Sequence, residues 1–158
     1  MPFLNNFRMS DIGNFLGIHM SETLLSMRRF LGSEFEKSLP KLSFEDWMML
    51  APIAKKEGIS QKELSENIAR DKTIVSRLVD LWVKKGWIKR ESQTEDKRKN
   101  GLFFTKKGKE LWEKGIPLVS AADEVFTRNL NNEEQKEIYL LLFKIQSSIN
   151  ITKVQVDE

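Results

Sequence analysis

The middle of this 158-residue chain carries one helix face suited to hydrogen bonding with phosphates and base edges. Between positions 72 and 85, apolar side chains recur at i, i+3, i+4 and i+7, and the opposite face is mostly cationic and hydroxylic. Ammonium, guanidinium and hydroxyl groups are common donors to phosphates and base edges. The outer face consists of Lys72, Thr73, Ser76, Arg77, Asp80 and Lys84. This pattern predicts a nucleic-acid-binding surface.

A second basic group follows about 15 residues later. Lys97, Arg98 and Lys99 stand in a row inside a polar stretch that contains the turn signal Asn100-Gly101. Alternating residues at 87–92 and an apolar run at 102–104 predict two strands on either side of this stretch. A basic hairpin tip beside a recognition helix is a wing, which can reach a minor groove.

Helix caps place these groups. Ser60 and Glu63 form a capping box, so a helix should begin at Gln61 with Leu64 and Ile68 inward. Asp71 should cap the second helix, and Gly86 should end it. Two short helices joined by a tight turn predict a helix-turn-helix.

Longer helices flank this unit. The first should run from Ser10 or Asp11 to about residue 39, and the next, capped by Ser43, should span 44–56 with Pro52 inside it. Thr105 should cap a helix that begins at 106, with a break near Gly115 and Pro117. Asn131 with Glu134 should cap a last helix whose apolar stripe is Ile138, Leu141, Leu142, Ile145 and Ile149.

The distribution of charge along the chain supports the same location for the nucleic-acid-binding surface. Residues 54–107 contain 15 Lys and Arg against 8 Asp and Glu, whereas the whole chain contains 26 against 23. A local surplus of positive charge favours polyanion binding through counterion release. The alternative is a solvated Lys-rich surface, and the helix-turn-helix with its wing favours the first interpretation.

At these residues the chain resembles the MarR family of bacterial transcriptional regulators. The resemblance runs through QKELSENIA, SRLVD, KKGWIKR, the wing signature Asp96-x-Arg98 and the closing FFTKKGKEL. It implies that Asp96 stabilises the wing and that Arg98 enters the minor groove.

The resemblance also assigns the recognition-helix contacts to Lys72, Thr73, Ser76 and Arg77, and we expect Gln61 and Lys72 to lie near phosphates. Three positions depart from the family pattern, namely Ile74, Leu81 and Trp82. Ile74 would either contact a thymine methyl group or belong to the core. The predicted DNA-binding set is Gln61, Lys72, Thr73, Ile74, Ser76, Arg77, Lys97, Arg98 and Lys99.

The predicted fold is mainly α with a small β-hairpin wing (α+β). We expect one MarR-like domain over 1–158, in which 43–105 form the winged helix-turn-helix and 1–42 and 106–158 form dimerisation helices. The terminal helices have more apolar surface than a monomer needs, so a two-fold dimer on an inverted-repeat operator is expected. A helical cap within a monomer is the alternative.

The family resemblance also implies a small aromatic or phenolic effector in a cleft between the dimer helices and the wing domain. His19, Arg28, Trp47 and Trp112 are the candidate lining residues, because a cation and aromatic faces suit an aromatic carboxylate. The alternative is that the tryptophans belong to the core and that the histidine is a surface residue.

Other functions find little support in the sequence. With one His, no Cys and no Gly-rich phosphate loop, we predict neither an enzyme nor a cofactor or metal site. Without a leader pattern or membrane-length apolar run, we expect a cytoplasmic protein. A winged-helix protein-interaction module remains the alternative function, which an exposed Leu81 or Val83 would favour.

Overall fold

The computed structural model describes residues 15–92 and 100–156, and the chain divides into two compact units, Met1–Val119 and Ser120–Glu158. The described elements are α1 (Leu16–Ser38), α2 (Phe44–Lys55), α3 (Gln61–Ile68), α4 (Lys72–Lys84), β1 (Ile88–Ser92), β2 (Asn100–Phe104), α5 (Lys106–Glu113), α6 (Ile116–Thr127) and α7 (Asn132–Val156). The division falls within α6. The mainly helical architecture with one antiparallel hairpin confirms the predicted fold class.

Local capping explains most helix starts in the first unit. Ser60 and Glu63 form the complete capping box at α3, and the hydroxyl of Ser43 accepts from the backbone N–H of Asp46 at α2. The hydroxyl of Thr105 accepts from the backbone N–H of Gly108 at α5. The predicted caps at α2, α3 and α5 are therefore confirmed, and each joins residues three positions apart.

The first described helix begins at Leu16, after Phe15 in extended backbone angles. The predicted start at Ser10 or Asp11 lies outside the described residues. Ile12 lies outside the described residues. Of the predicted apolar stripe, Leu31 and Phe35 are buried within the chain, while Leu24 is exposed.

The core of the first unit lies between the helices α1 to α5 and the hairpin. Helix α2 packs against α1, α3 and β2, while α4 packs against α3 and β1. The side chains with the least exposure are Phe35, Leu42, Leu50, Ile53, Leu64, Val75, Val79, Trp82, Ile88 and Leu102. The buried side chains of Val75, Val79 and Trp82 thus hold the inner side of α4.

The hairpin pairs Ile88 with Phe104 and Ser92 with Asn100. Asn100 and Gly101 were expected to form the turn, but they lie in β2, opposite Ser92 and Glu91. The pairing of the strands therefore extends past the residues that usually signal a turn. On the edge of β2 away from β1, Leu102 forms backbone hydrogen bonds with Gly58 and Ile59.

Two aromatic side chains brace α2 against α5. The indoles of Trp47 and Trp112 stack with ring centroids 5.2 Å apart and an interplanar angle of 5°. Each indole N–H donates to the backbone carbonyl of the other residue, at 2.8 Å from Trp47 and 3.3 Å from Trp112. A Cβ atom at Gly115 would lie 2.2 Å from Trp47 Nε1, so the bend after α5 needs a glycine.

The second unit contains most of α6 and all of α7. The break between α5 and α6 falls where Gly115 and Pro117 predicted it. Asn131 and Glu134 form the predicted reciprocal cap at α7, since each side chain accepts from the other residue's backbone N–H. The predicted stripe of α7 is exposed at Ile138, Leu141, Leu142 and Ile149 and half-buried at Ile145.

Candidate nucleic-acid interface

The candidate interface begins at the N-terminus of α4. The carboxylate of Asp71 accepts from the backbone N–H of Thr73 at 2.7 Å and caps the helix. This bond, followed by the interaction with the Thr73 side chain, lowers the pKa of Asp71 below its ordinary value. An ionised carboxylate at this end stabilises the helix dipole, so the first turn of α4 is well anchored.

The first two turns of α4 present the predicted contact residues to solvent. Lys72, Thr73 and Arg77 are exposed, and Ser76 is half-buried. Ile74 is 47% exposed, so it does not belong to the core as the alternative interpretation expected. Gln61 is half-buried at the start of α3. This face combines two cations, hydroxyls and a branched apolar group, which together can contact phosphates, base edges and a thymine methyl group.

One acidic residue on this helix is neutralised from the hairpin. Asp80 forms an ion pair with Arg90 of β1, with 2.5 Å between Oδ1 and Nη2. An unpaired carboxylate on this face would repel DNA phosphates, and the guanidinium offsets that charge. Sequence analysis did not single out Arg90, because its partner lies ten residues away in a different element and no local pattern connects them.

The C-terminal half of α4 is anchored to α2. Asp46 Oδ1 accepts from the indole N–H of the fully buried Trp82 at 2.8 Å. Asp46 Oδ2 lies 3.7 Å from Lys85 Nζ. Lys107 of α5 donates from Nζ to the backbone carbonyl of Lys85 at 2.7 Å. These bonds fix the position of α4 relative to the helix behind it, which sets how its outer face is presented.

The wing is described only in its strands. The predicted wing residues Asp96, Lys97, Arg98 and Lys99 lie in residues 93–99, outside the described residues. The register of β1 and β2 places this segment as the connection between Ser92 and Asn100. Their roles therefore stay predictions.

The four candidate effector residues occupy different surroundings in the first unit. Trp47 and Trp112 form the stacked pair described above, which agrees with the core alternative for Trp47. Arg28 lines a cavity of about 420 Å³ together with Phe44, Met48, Lys55 and Arg70, and none of the other three candidates lines it. His19 is exposed on α1. A second cavity in the first unit, around Lys85 and Trp87, contains Leu111 but neither Trp47 nor Trp112, so neither of these two cavities contains all four candidates.

The described ranges, 15–92 and 100–156, contain no group of three or more His, Cys, Asp or Glu side chains placed to hold a metal ion. Within the same ranges, no helix has both the length and the apolar content needed to cross a membrane.

Comparison with known proteins is consistent with this geometry. The MarR family model matches residues 42–99, which contain α2, α3, α4 and β1. The HTH-type transcriptional regulator BilQ of Clostridium symbiosum (strain WAL-14163) is 34% identical over 93 residues. That alignment covers 59% of this chain, and it spans 65% of the length of BilQ.

Solved structures share the fold. A mutant MarR from E. coli complexed with operator DNA has a TM-score of 0.77 and 23% identity, covering 88% of this chain and 99% of that one. The transcriptional repressor CouR bound to a 23-mer DNA duplex has a TM-score of 0.78 and 17% identity, covering 89% and 99%. At these identities the likeness concerns the fold. Together with the sequence matches, it makes this chain similar to MarR-family regulators in residues 42–99 and in fold.

Proposed function

We propose that this protein is a sequence-specific, double-stranded-DNA-binding regulator of transcription. In this proposal α4 enters the major groove and the wing reaches the adjacent minor groove. The observation that carries it is the outer face of α4, where Lys72, Thr73, Ile74 and Arg77 are all solvent-exposed on a helix anchored at both ends. In this proposal the protein acts in the cytoplasm, where it binds DNA.

Similar proteins support this proposal. BilQ is named a transcriptional regulator, and two structures of the same fold are complexes with DNA. The relatives are regulators and not enzymes, which supports a non-enzymatic role. By the same likeness we propose that the chain acts as a repressor.

We propose that the working form is a homodimer. Helix α7 exposes a row of large apolar side chains, including Phe143 at 66% exposure, and α1 exposes Leu24 and Leu25. Burying such side chains is favourable by about 1.5–3 kcal/mol each, so an uncovered row favours a second copy. In this proposal residues 43–105 bind DNA, and residues 1–42 and 106–158 form the dimer interface. A two-fold dimer presents two α4 helices to an inverted repeat with half-sites about 34 Å apart.

The test starts with selection of bound sequences from a random duplex pool, followed by affinity measurements on the selected sequence. We expect an inverted repeat. Arg77→Ala and Arg98→Ala should each weaken binding to it about tenfold to a hundredfold, since a good base contact contributes about 1–3 kcal/mol. Lys109→Ala, an exposed cation on α5, is the matched control and should change affinity by less than about twofold. Unchanged affinity in both arginine variants would rule out this binding geometry.

We also propose that a small aromatic or phenolic acid modulates DNA affinity. Support comes from the family resemblance, and among the candidates His19, Arg28, Trp47 and Trp112, Arg28 borders a cavity whose mixed lining includes Phe44 and Met48. To change DNA affinity, an effector must bind better to a dimer with one separation of its two α4 helices than to a dimer with another. Titration of 4-hydroxybenzoate into the protein–DNA complex should release DNA, and Arg28→Ala should reduce the response while Arg29→Ala retains it. Equal responses in both variants would remove Arg28 from the site.

A protein-interaction module is the second candidate function, because Leu81 is 42% exposed on α4. The salt dependence of the measured affinity distinguishes DNA binding from a protein interaction. DNA binding should weaken steeply with ionic strength, with a slope of about −0.9 per phosphate neutralised, whereas an apolar contact through Leu81 should not.

A further inference from the structure

A basic cavity lies at the C-terminal end of α4, away from the residues proposed to contact bases. Its volume is about 550 Å³, and Lys41, Lys85, Lys107 and Lys114 line it together with Trp87 and Glu110. We call this the lysine cavity. It belongs to neither the outer face of α4 nor the cavity lined by Arg28.

The four lysines come from separate parts of the fold. Lys41 lies in the connection between α1 and α2, Lys85 caps α4, and Lys107 and Lys114 lie seven residues apart at the two ends of α5. A run of lysines along one helix is usually a solvated face. Convergence of three segments on one concave site is different, because packing of separate elements brings the lysines around a common space.

The positive charge of this site is largely uncompensated. Asp46 lies 3.7 Å from Lys85, and Lys107 donates to a carbonyl, which is not charged. Lys41 and Lys114 form no ion pair within residues 15–92 and 100–156. Among the lining residues, four lysines against Glu110 leave three positive charges, and the ion pair of Lys85 with Asp46 reduces this surplus to two.

We propose that the lysine cavity binds a small molecule that contains a pyrophosphate group, such as a nucleoside diphosphate. Two linked phosphates carry several negative charges near neutral pH, opposite in sign to this surplus. Lysine ammonium groups bind phosphates as point charges with three donors each, and lysines on opposite walls can reach different phosphates. The cavity volume falls in the range of about 300–1,000 Å³ that is usual for small-molecule sites.

A duplex is a poorer occupant of this site. Lys85 lies about 20 Å along α4 from Lys72, by the rise of 1.5 Å per residue. The phosphates of a duplex lie on its convex outer surface, which favours protruding side chains over a cavity. A small anion can instead contact Lys85 and Lys107, the two lysines joined by the hydrogen bond at the end of α4.

Isothermal titration of sodium pyrophosphate into the full-length wild-type protein at low salt tests the proposal. We expect saturable binding at one site per chain. The double variant Lys41→Gln/Lys114→Gln should bind about tenfold more weakly or worse, because it removes two charge-assisted contacts. It should stay folded, since both side chains are exposed and circular dichroism can verify the fold. Lys109→Gln, on the same helix but outside the cavity, should change the affinity less than about twofold.

Further titrations identify the source of the pyrophosphate group. Tighter binding of ADP than of pyrophosphate, with no binding of adenosine, would assign the site to a nucleotide. Equal affinities would assign it to the pyrophosphate group alone, and both results support the proposal.

Three results would overturn it: no saturable binding, the same loss in Lys109→Gln as in the double variant, or a loss confined to Arg77→Gln, which would place the anion on the outer face of α4. Protein that selects an operator but does not bind pyrophosphate would overturn this inference alone. The regulatory function would then stand.

Discussion

The indole Nε1 of Trp82 donates a hydrogen bond to Oδ1 of Asp46 across 2.8 Å, and it joins two residues that are 36 positions apart. Trp82 lies on the inner side of the recognition helix with no exposed surface, whereas Asp46 stands in the first turn of α2. A buried indole N–H needs an acceptor, and this carboxylate supplies it. Asp46 therefore couples the start of α2 to α4.

Removal of this acceptor should destabilise the fold. We expect Asp46→Ala to lower the free energy of unfolding by about 1–3 kcal/mol, because the indole N–H is left buried and unpaired. Urea unfolding measures the loss. Asp46→Asn keeps an amide oxygen at the same position and should cost less. In a Trp82→Phe background, which has no indole donor, Asp46→Ala should also cost less, and an equal cost in both backgrounds would show that the two residues are not coupled.

Gly108 should not tolerate a side chain. A Cβ atom there would lie 1.7 Å from the carbonyl oxygen of Trp87, and backbone atoms cannot rotate away as a side chain can. We expect Gly108→Ala to lower the free energy of unfolding by about 3 kcal/mol or more. Gly17→Ala is the matched control on α1, where no atom lies within 4 Å of the new methyl group. It should leave stability unchanged or raise it by up to about 1 kcal/mol. Similar thermal midpoints for both variants would contradict the close approach.

The turn between α3 and α4 contains a strained alanine. Ala69 has φ 48° and ψ 48°, the left-handed conformation that favours glycine. We expect Ala69→Gly to raise the free energy of unfolding by about 1 kcal/mol, since the left-handed conformation costs other residues about 1–2 kcal/mol. Ala121→Gly, on the exposed side of α6, should instead lower it by about 1 kcal/mol. Chemical unfolding of both variants checks the opposite signs, and a loss of stability at position 69 would contradict the prediction.

The capping box at α3 should make stability depend on acid pH. The backbone N–H of Ser60, followed by the ammonium group of Lys56 and the hydroxyl of Ser60, lowers the pKa of Glu63 from 4.5 to about 2. Because the folded-state pKa is lower than the unfolded one, the ionised carboxylate stabilises the fold above pH 4.5. This contribution is lost as the pH falls from 4.5 towards 2.

Comparison of wild-type protein with Glu63→Gln by urea unfolding at pH 7 and pH 3 tests this dependence. The wild type should be the more stable at pH 7, and the gap should narrow at pH 3. Glu66→Gln is the control from the same helix, because the Glu66 carboxylate accepts no backbone N–H in the described part of the chain. A gap for Glu63→Gln that is the same at both pH values would contradict the assigned role of the carboxylate.

Much of the local structure could be predicted because the determining residues are close in sequence. The capping residues Ser60, Asp71, Thr105 and Asn131 all mark helix starts in the structure. A cap needs only one side chain and backbone N–H groups two or three residues later, and the apolar period then continues the helix. The same period separated the buried Val75 and Val79 from the exposed Lys72 and Arg77.

Predictions failed where tertiary contacts override a local signal. Asn100 and Gly101 usually indicate a turn, but pairing with Ser92 and Glu91 keeps them in β2. At Ile74 no prediction failed, because a thymine contact and a place in the core were both left open, and the packing of α4 leaves the side chain exposed.

The order of the helices, their caps, the hairpin and the polar face of α4 could be predicted from the chain, since each depends on neighbouring residues. The hydrogen bond of Trp82 to Asp46, the ion pair of Arg90 with Asp80 and the stacking of Trp47 on Trp112 arise from packing between elements. The same packing also brings Lys41, Lys85, Lys107 and Lys114 around one cavity. These partners lie on different elements, and their separations are set by packing of the core, which no local spacing in the chain specifies.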